Sequence, residues 1–303
     1  MDGLANGSIY ALIALGYTLV YGVLKLINFA HSEIFMIGTF ASLFATGWLG
    51  VASGPSAIQT GGALVFTLLF AAVVAMLASG IAAVALERIA YRPLRKRGAG
   101  RLAALISAIG ASFFLQELFG LWQGRDIKAF PRILEKTQLF AFEGADVRID
   151  KVLVLVAALV MMVVLDRFVN ATRLGLGIRA VAQDPETATM MGVNIDRVVT
   201  LTFLLGGIMA GAAGMLYVVY LEVTFFSVGF TLGVKAFTAA VLGGIGNLRG
   251  ALLGGLALGM IENYGAAVWG AAWKDVIAFS ILVIVLMFRP TGLLGESLGV
   301  ARA

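Results

Sequence analysis

The charged residues of this chain are gathered into short intervals, and the stretches between them are apolar for the length of a membrane crossing. Nine such stretches can be read, at roughly 3–24, 29–50, 62–86, 102–122, 152–170, 197–221, 229–246, 251–269 and 274–289. At about 1.5 Å per helical residue, the shorter ones only just cross a hydrocarbon core of about 30 Å. The stretches 229–246 and 274–289 are therefore the candidates for half-helices or re-entrant segments. Composition agrees, with 60% hydrophobic and 13% charged residues, far from the balance of a soluble domain. The expected fold class is all-α: a polytopic membrane protein of about 8–10 transmembrane helices, some broken or re-entrant. One transmembrane domain covers 1–303. The first apolar run begins at once, lacks a basic leader and is followed by further spans, so no cleavable signal is expected. With no cysteine, no disulfide or cysteine-based metal site is available.

Lys and Arg set the expected orientation. The interval Arg88–Arg101 holds six cations in fourteen residues, whereas Arg125–Lys151 spreads six over twenty-seven and interleaves them with five acids. The denser interval is expected on the cytoplasmic side. Nine spans then put fourteen of the 22 Lys and Arg inside. The N-terminus falls outside, and the C-terminus, with Arg289 and Arg302, inside. The net charge of +5 reads as topology rather than as nucleic-acid affinity. The loop 125–151 is the largest outside. Its mixed charge and Pro131 suit either a solvated connector or an ordered element that meets an external partner.

One polar interval reads as short, well-punctuated helices of its own: 173–196, expected inside. Leu174, Ile178 and Val181 share a helical face. Asp184 can cap a second helix whose first residue is Pro185, where the missing N–H is harmless. Glu186 follows in the first turn, and Gly192 can close the helix in a left-handed conformation. Glu186-Thr187-Ala188-Thr189-Met190-Met191-Gly192 resembles the E-A-A-x-x-x-G coupling loop of bacterial ABC importer permeases, with Thr187 where Ala is common. An ordinary interhelical loop is the alternative.

The resemblance extends along the chain. Gly7-Ser8-Ile9-Tyr10-Ala11-Leu12-Ile13-Ala14-Leu15-Gly16-Tyr17, Ile27-Asn28-Phe29-Ala30-His31-Ser32-Glu33 and Glu87-Arg88-Ile89-Ala90-Tyr91-Arg92-Pro93-Leu94 carry it in the first half. Leu105-Ile106-Ser107-Ala108-Ile109-Gly110, Lys235-Ala236-Phe237-Thr238-Ala239-Ala240-Val241-Leu242-Gly243-Gly244-Ile245-Gly246 and Arg289-Pro290-Thr291-Gly292-Leu293 complete it. Together they resemble the LivH-type permease subunit of branched-chain amino acid ABC importers. The resemblance implies a bacterial inner-membrane location and uptake of leucine, isoleucine and valine. It also implies a second homologous permease, two cytoplasmic ATPase subunits and an external substrate-binding protein. ATP would be used by the ATPases, with no cofactor in this chain. Coupling would fall to Arg179, Asp184, Pro185, Glu186, Ala188, Met191 and Gly192. Sister permeases for urea and short amides share these stretches, so the substrate stays open between the two. The related importers have ten helices and an N-terminus inside. Loss of the first of those helices would reconcile that with nine spans.

The polar residues inside or beside spans admit two readings each. Asn28, His31 and Glu33 either line the translocation path or cap the second span, with Asn28 as N-cap and Glu33 at the positive helix end. Lys235 either simply snorkels toward the outer interface or meets Glu222 or a substrate carboxylate there. Glu262 and Asn263 lie mid-span, as path residues or as a bond to the partner permease. One His and one Glu close no metal site. The pairs Gly207/Gly211, Gly250/Gly254 and Gly255/Gly259 suit close helix packing. Gly243–Gly250 lacks the spacing of a nucleotide loop, and no lysine sits in one. The chain is therefore expected to be a transport subunit rather than an enzyme. A small-solute channel or a secondary transporter explains the glycines and Glu262 as well, but neither predicts a capped knob at 173–196.

Overall fold

A computed structural model describes residues 1–51, 57–142, 145–289 and 291–295. Pro290, Glu143 and Arg302 lie outside the described residues. In chain order, α1 spans Asp2–Leu24, α2 His31–Trp48 and α3 Gly61–Leu86. A π-helical turn, Glu87–Tyr91, runs straight on into α4, Arg92–Lys96. Next come α5 (Arg101–Gln123), strands β1 (Lys128–Ala129), β2 (Gln138–Phe142) and β3 (Ala145–Arg148), and α6 (Ile149–Ala171). The short helices α7 (Arg173–Gln183) and α8 (Pro185–Met190) precede α9 (Ile195–Leu221), β4 (Val223–Thr224), α10 (Val228–Gly243), α11 (Leu248–Trp269) and α12 (Lys274–Phe288). Each of the nine expected spans is a helix, and the chain is a polytopic all-α membrane protein.

Seven helices are long and apolar enough to cross a membrane by length and composition. The segment 274–289 is among them, because a preceding turn extends it to Ala271–Phe288, so it is not the short piece expected. The two that fall short are α10, with 16 residues, and α2, whose buried face carries His31, Ser32, Glu33, Thr39, Ser42 and Thr46. Both are enclosed by other helices and need not present an apolar surface to lipid.

The core is built on α1, which packs against α9, α10 and α11. Close approach is made by small residues, as expected. A β-carbon on Gly7 would lie 2.7 Å from the Gly255 carbonyl oxygen, and one on Gly207 2.7 Å from that of Ser79. Gly254 meets the backbone of α10 in the same way. By contrast, α3, α5, α6 and α12 keep large apolar side chains exposed, among them Phe66, Phe114, Val164 and Phe288, as lipid-facing or partner-facing helices do.

Two faces of the bundle are tied by polar contacts. On one, β1 pairs with β4, Lys151 Nζ lies 2.7 Å from Asp2 and Lys136 Nζ 2.6 Å from Glu222. The loop 125–151 is therefore an ordered element, with a β2–β3 hairpin and buried Phe130 and Ile133. On the other face, the 88–101 interval meets the start of α9. The N-terminus and the long loop share one side, and the dense cation interval and the knob share the other.

Candidate functional site: a coupling knob and a polar bundle interior

The knob is built by side-chain caps. Thr172 Oγ1 accepts from Gly175 N at 3.0 Å to start α7. Asp184 accepts from Glu186 N at 3.0 Å and from the Thr187 hydroxyl to start α8, with Pro185 at the first helical position. The Thr187 hydroxyl and the backbone N–H groups hold the Asp184 carboxyl below its ordinary value. Gly192 closes the helix at φ +85°, its N–H donating to Thr189 O at 2.9 Å. Asn194 then caps α9 through Arg197 N at 3.0 Å. The expected punctuation thus stands at Asp184, Pro185 and Gly192. Glu186 is exposed in the first turn, and Ala188 is buried against the knob. One face differs from expectation: Leu174 is 58% exposed, and Gly175 joins Ile178 and Val181 on the buried side. Gly175 fits there because its α-carbon lies against the Phe168 and Val169 carbonyls, where a side chain has no room. Arg179 is exposed and donates to the Asn170 carbonyl at 3.3 Å.

The tip of the knob is apolar and unpaired. Met190, the last residue of the six-residue α8, and Met191, its C-cap, are 86% and 80% exposed. Methionine adapts to varied partner surfaces. Removing the cap, Asp184→Ala, is expected to destabilise α8 by about 0.5–2 kcal/mol. Amide exchange at Glu186 and Thr187 should accelerate, while Asp184→Asn stays near the parent rate. Equal exchange in Asp184→Ala and the parent would remove Asp184 as the cap.

Behind the knob stands a charge network that sequence reading missed. Asp196 accepts from Arg92 at 2.9 Å and from Arg95 at 2.6 Å. Glu87, fully buried, takes Arg95 at 3.2 Å and the Thr200 hydroxyl at 3.1 Å. The signal was a lone acid at the end of each of two helices facing a run of arginines. Asp196 and its two arginines, and Glu87 and Thr200, are more than a hundred residues apart in the chain, so no local pattern links them; only Arg95 and Glu87 are close, eight residues apart.

Within the bundle, Asn28 does not cap α2. The N-cap position is Ala30, without a side-chain bond, and Asn28 Oδ1 instead accepts from the Tyr91 hydroxyl at 2.7 Å. The turn before α2 folds into the bundle and takes Asn28 to the π-helical turn. His31 is buried between Gly16 and Gly206, with its ring 5.0 Å from that of Tyr17. The second span therefore begins level with Gly16, well short of the end of α1. Glu33, in the first turn, is fully buried and receives Ser112 Oγ at 3.2 Å and Ser32 Oγ at 3.3 Å. None of the three is interfacial, because α5, α9 and α10 cover them.

Lys235 does not reach Glu222, whose partners are Lys136 and Arg132. Its ammonium lies 2.7 Å from Glu262 Oε1 and 2.7 Å from Asp275 Oδ1, with the Tyr10 ring 5.9 Å away. One lysine thereby ties α10 to α11 and α12. Glu262 bonds within its own chain, and Asn263 donates to Gly259 O in its own helix at 2.9 Å. Among the described residues no cluster of three or more His, Cys, Asp or Glu could hold a metal ion.

A family model for the branched-chain amino acid transport system permease component matches residues 1–286. The high-affinity branched-chain amino acid transport system permease protein BraD of Pseudomonas aeruginosa is 42% identical, over 98% of this chain and 94% of that protein. The corresponding permease protein LivH of Escherichia coli K12 is 40% identical, over 97% of this chain and 94% of its own length. A probable branched-chain amino acid permease of Methanocaldococcus jannaschii is 25% identical, over 95% and 89%.

Proposed function

Because the chain belongs to the branched-chain amino acid transport permease family, we propose that it is one transmembrane half of an ATP-driven importer carrying leucine, isoleucine and valine into the cytoplasm. The observation that carries this reading is the knob: two capped helices with an apolar tip, set on the face that holds the densest cations. A cleft on an ATPase subunit is a suitable receptor for such a tip. The other half of the importer is a homologous permease packed against the exposed apolar helices, and a binding protein delivers substrate at the β2–β3 face. Coupling runs through Asp184, Pro185, Glu186, Ala188, Met191 and Gly192, with Arg179 on the same knob. Energy comes from ATP hydrolysed in the partner subunits. The protein is a multi-pass component of the inner membrane, with its N-terminus outside and the knob inside.

The path is proposed to pass the interior polar group of Asn28, His31 and Glu33. The Lys235–Glu262 pair and Asn263 brace its wall. Selection among aliphatic amino acids then rests largely on the binding protein, since an apolar wall separates solutes differing by a methylene only weakly, by about 1–3 kcal/mol.

Two experiments test this reading. A permease purified with co-expressed neighbours should retain ATPase subunits; recovery of a transport-competent chain alone would instead favour a channel or a secondary transporter. Single cysteines at Ala99 and Ala129, both exposed, should label oppositely with an impermeant maleimide in intact cells. Only Ala129→Cys is expected to react, and reaction of Ala99→Cys would reverse the orientation.

A further inference from the structure

At the knob end of the bundle lies a cavity of about 390 Å³, within the range of about 300–1,000 Å³ usual for small-ligand sites. Val23 and Leu24 of α1, Leu94 of α4, Val181 of α7, and Ile195 and Val199 of α9 form its apolar wall, and exposed Ala99 and Pro185 stand at the rim. Of the polar wall groups, Tyr91 donates to Asn28 and Arg95 Nη2 is held by Asp196 and Glu87, while Arg95 Nη1 is buried without a partner among the described residues. Among the described lining residues no carboxylate side chain meets an ammonium, so a zwitterionic amino acid is a poor occupant. An aliphatic chain fits the wall.

The rim supplies the second half of the recognition. Arg92 and Arg95 are balanced by Asp196 and Glu87. Arg88, Lys96 and Arg97 are exposed and make no ion pair among the described residues. These three cations lie on the same short segment that gives the cavity Tyr91, Leu94 and Arg95, and at the end of the membrane spans they match an anionic headgroup above an acyl chain.

We propose that this cavity holds an acyl chain of an anionic phospholipid whose headgroup rests on Arg88, Lys96 and Arg97. Pro185, the first residue of α8, is part of the rim, so the bound lipid braces the coupling helix against α1 and α9. The proposal rests on the proposed orientation only for the leaflet involved, and the cysteine pair tests that separately.

The test uses the complete transporter, purified with its partner subunits from nanodiscs of equal phosphatidylglycerol and phosphatidylcholine. Retained lipid is counted by native mass spectrometry. Phosphatidylglycerol should be retained over phosphatidylcholine. Its retention should fall about fivefold for each cation removed in Arg88→Gln, Lys96→Gln and Arg97→Gln combinations. Ala104 of α5 also lines the cavity and is buried, so Ala104→Phe, which fills the cavity and leaves the cations in place, should lower it as well. If Ala104→Phe does not assemble, the surface charge variants decide alone. Equal retention of the two lipids, unchanged retention in the charge variants, or a free fatty acid or an ATPase segment found in the cavity would overturn the proposal.

Discussion

Gly192→Val is expected to leave the permease inserted and paired while lowering binding-protein-stimulated ATP hydrolysis about five- to thirtyfold. Gly192 sits at φ +85°, where a β-carbon adds strain of about 1–2 kcal/mol, and that energy corresponds to a factor of this size. Apart from Gly192 and its two chain neighbours, no atom of the described residues lies within 4 Å of the position such a β-carbon would take. The penalty is therefore backbone strain and obstruction of the partner cleft, not a clash within the knob. Glu186→Lys is expected to act in the same direction, since it removes about 0.3–1 kcal/mol of favourable interaction with the helix N-terminus and reverses an exposed charge. Co-purification scores assembly, and hydrolysis in lipid with liganded binding protein scores coupling. Full stimulation in both variants would remove the knob from the coupling route.

Lys235→Met should have the largest effect on the folded bundle. The ammonium and the Glu262 carboxylate are both nearly inaccessible. Removing one partner of a buried pair destabilises by about 3–5 kcal/mol, because the other charge is left uncompensated. Asp275, whose side chain is 60% exposed, can turn to solvent; Glu262 cannot, and its Oε2 has no hydrogen-bond partner among the described residues. Membrane-inserted Lys235→Met should therefore unfold at lower temperature and transport poorly. The double variant Lys235→Met/Glu262→Leu should recover much of the loss, since apolar replacement of both partners is often close to neutral. A thermal midpoint for Lys235→Met equal to the parent's would show that the pair contributes nothing.

Much of the architecture was legible because charge placement in a membrane chain is a strong constraint. Arg88 to Arg101 and 173–196 mark the ends of helices, and each expected span is one. The knob was legible at residue level, since Asp184, Pro185 and Gly192 act through local backbone chemistry. What was not legible lies between helices. Glu262 and Asn263 were recognisable as mid-span polar groups, but Lys235 finds Glu262 and Asp275 only after α10, α11 and α12 pack. The Asn28–Tyr91 bond likewise depends on how the turn before α2 folds inward. Helices such as α3 and α12 are apolar all round, so periodicity does not tell a lipid-facing side from a core side.

The most direct measurement is uptake into proteoliposomes holding this permease with its partner permease and ATPases. Radiolabelled leucine, isoleucine, valine and urea are supplied outside with the binding protein, and ATP is enclosed. The three amino acids should accumulate, each only when both ATP and binding protein are present, and urea should not. Accumulation of leucine without ATP, or of urea in preference to all three amino acids, would contradict the proposed function.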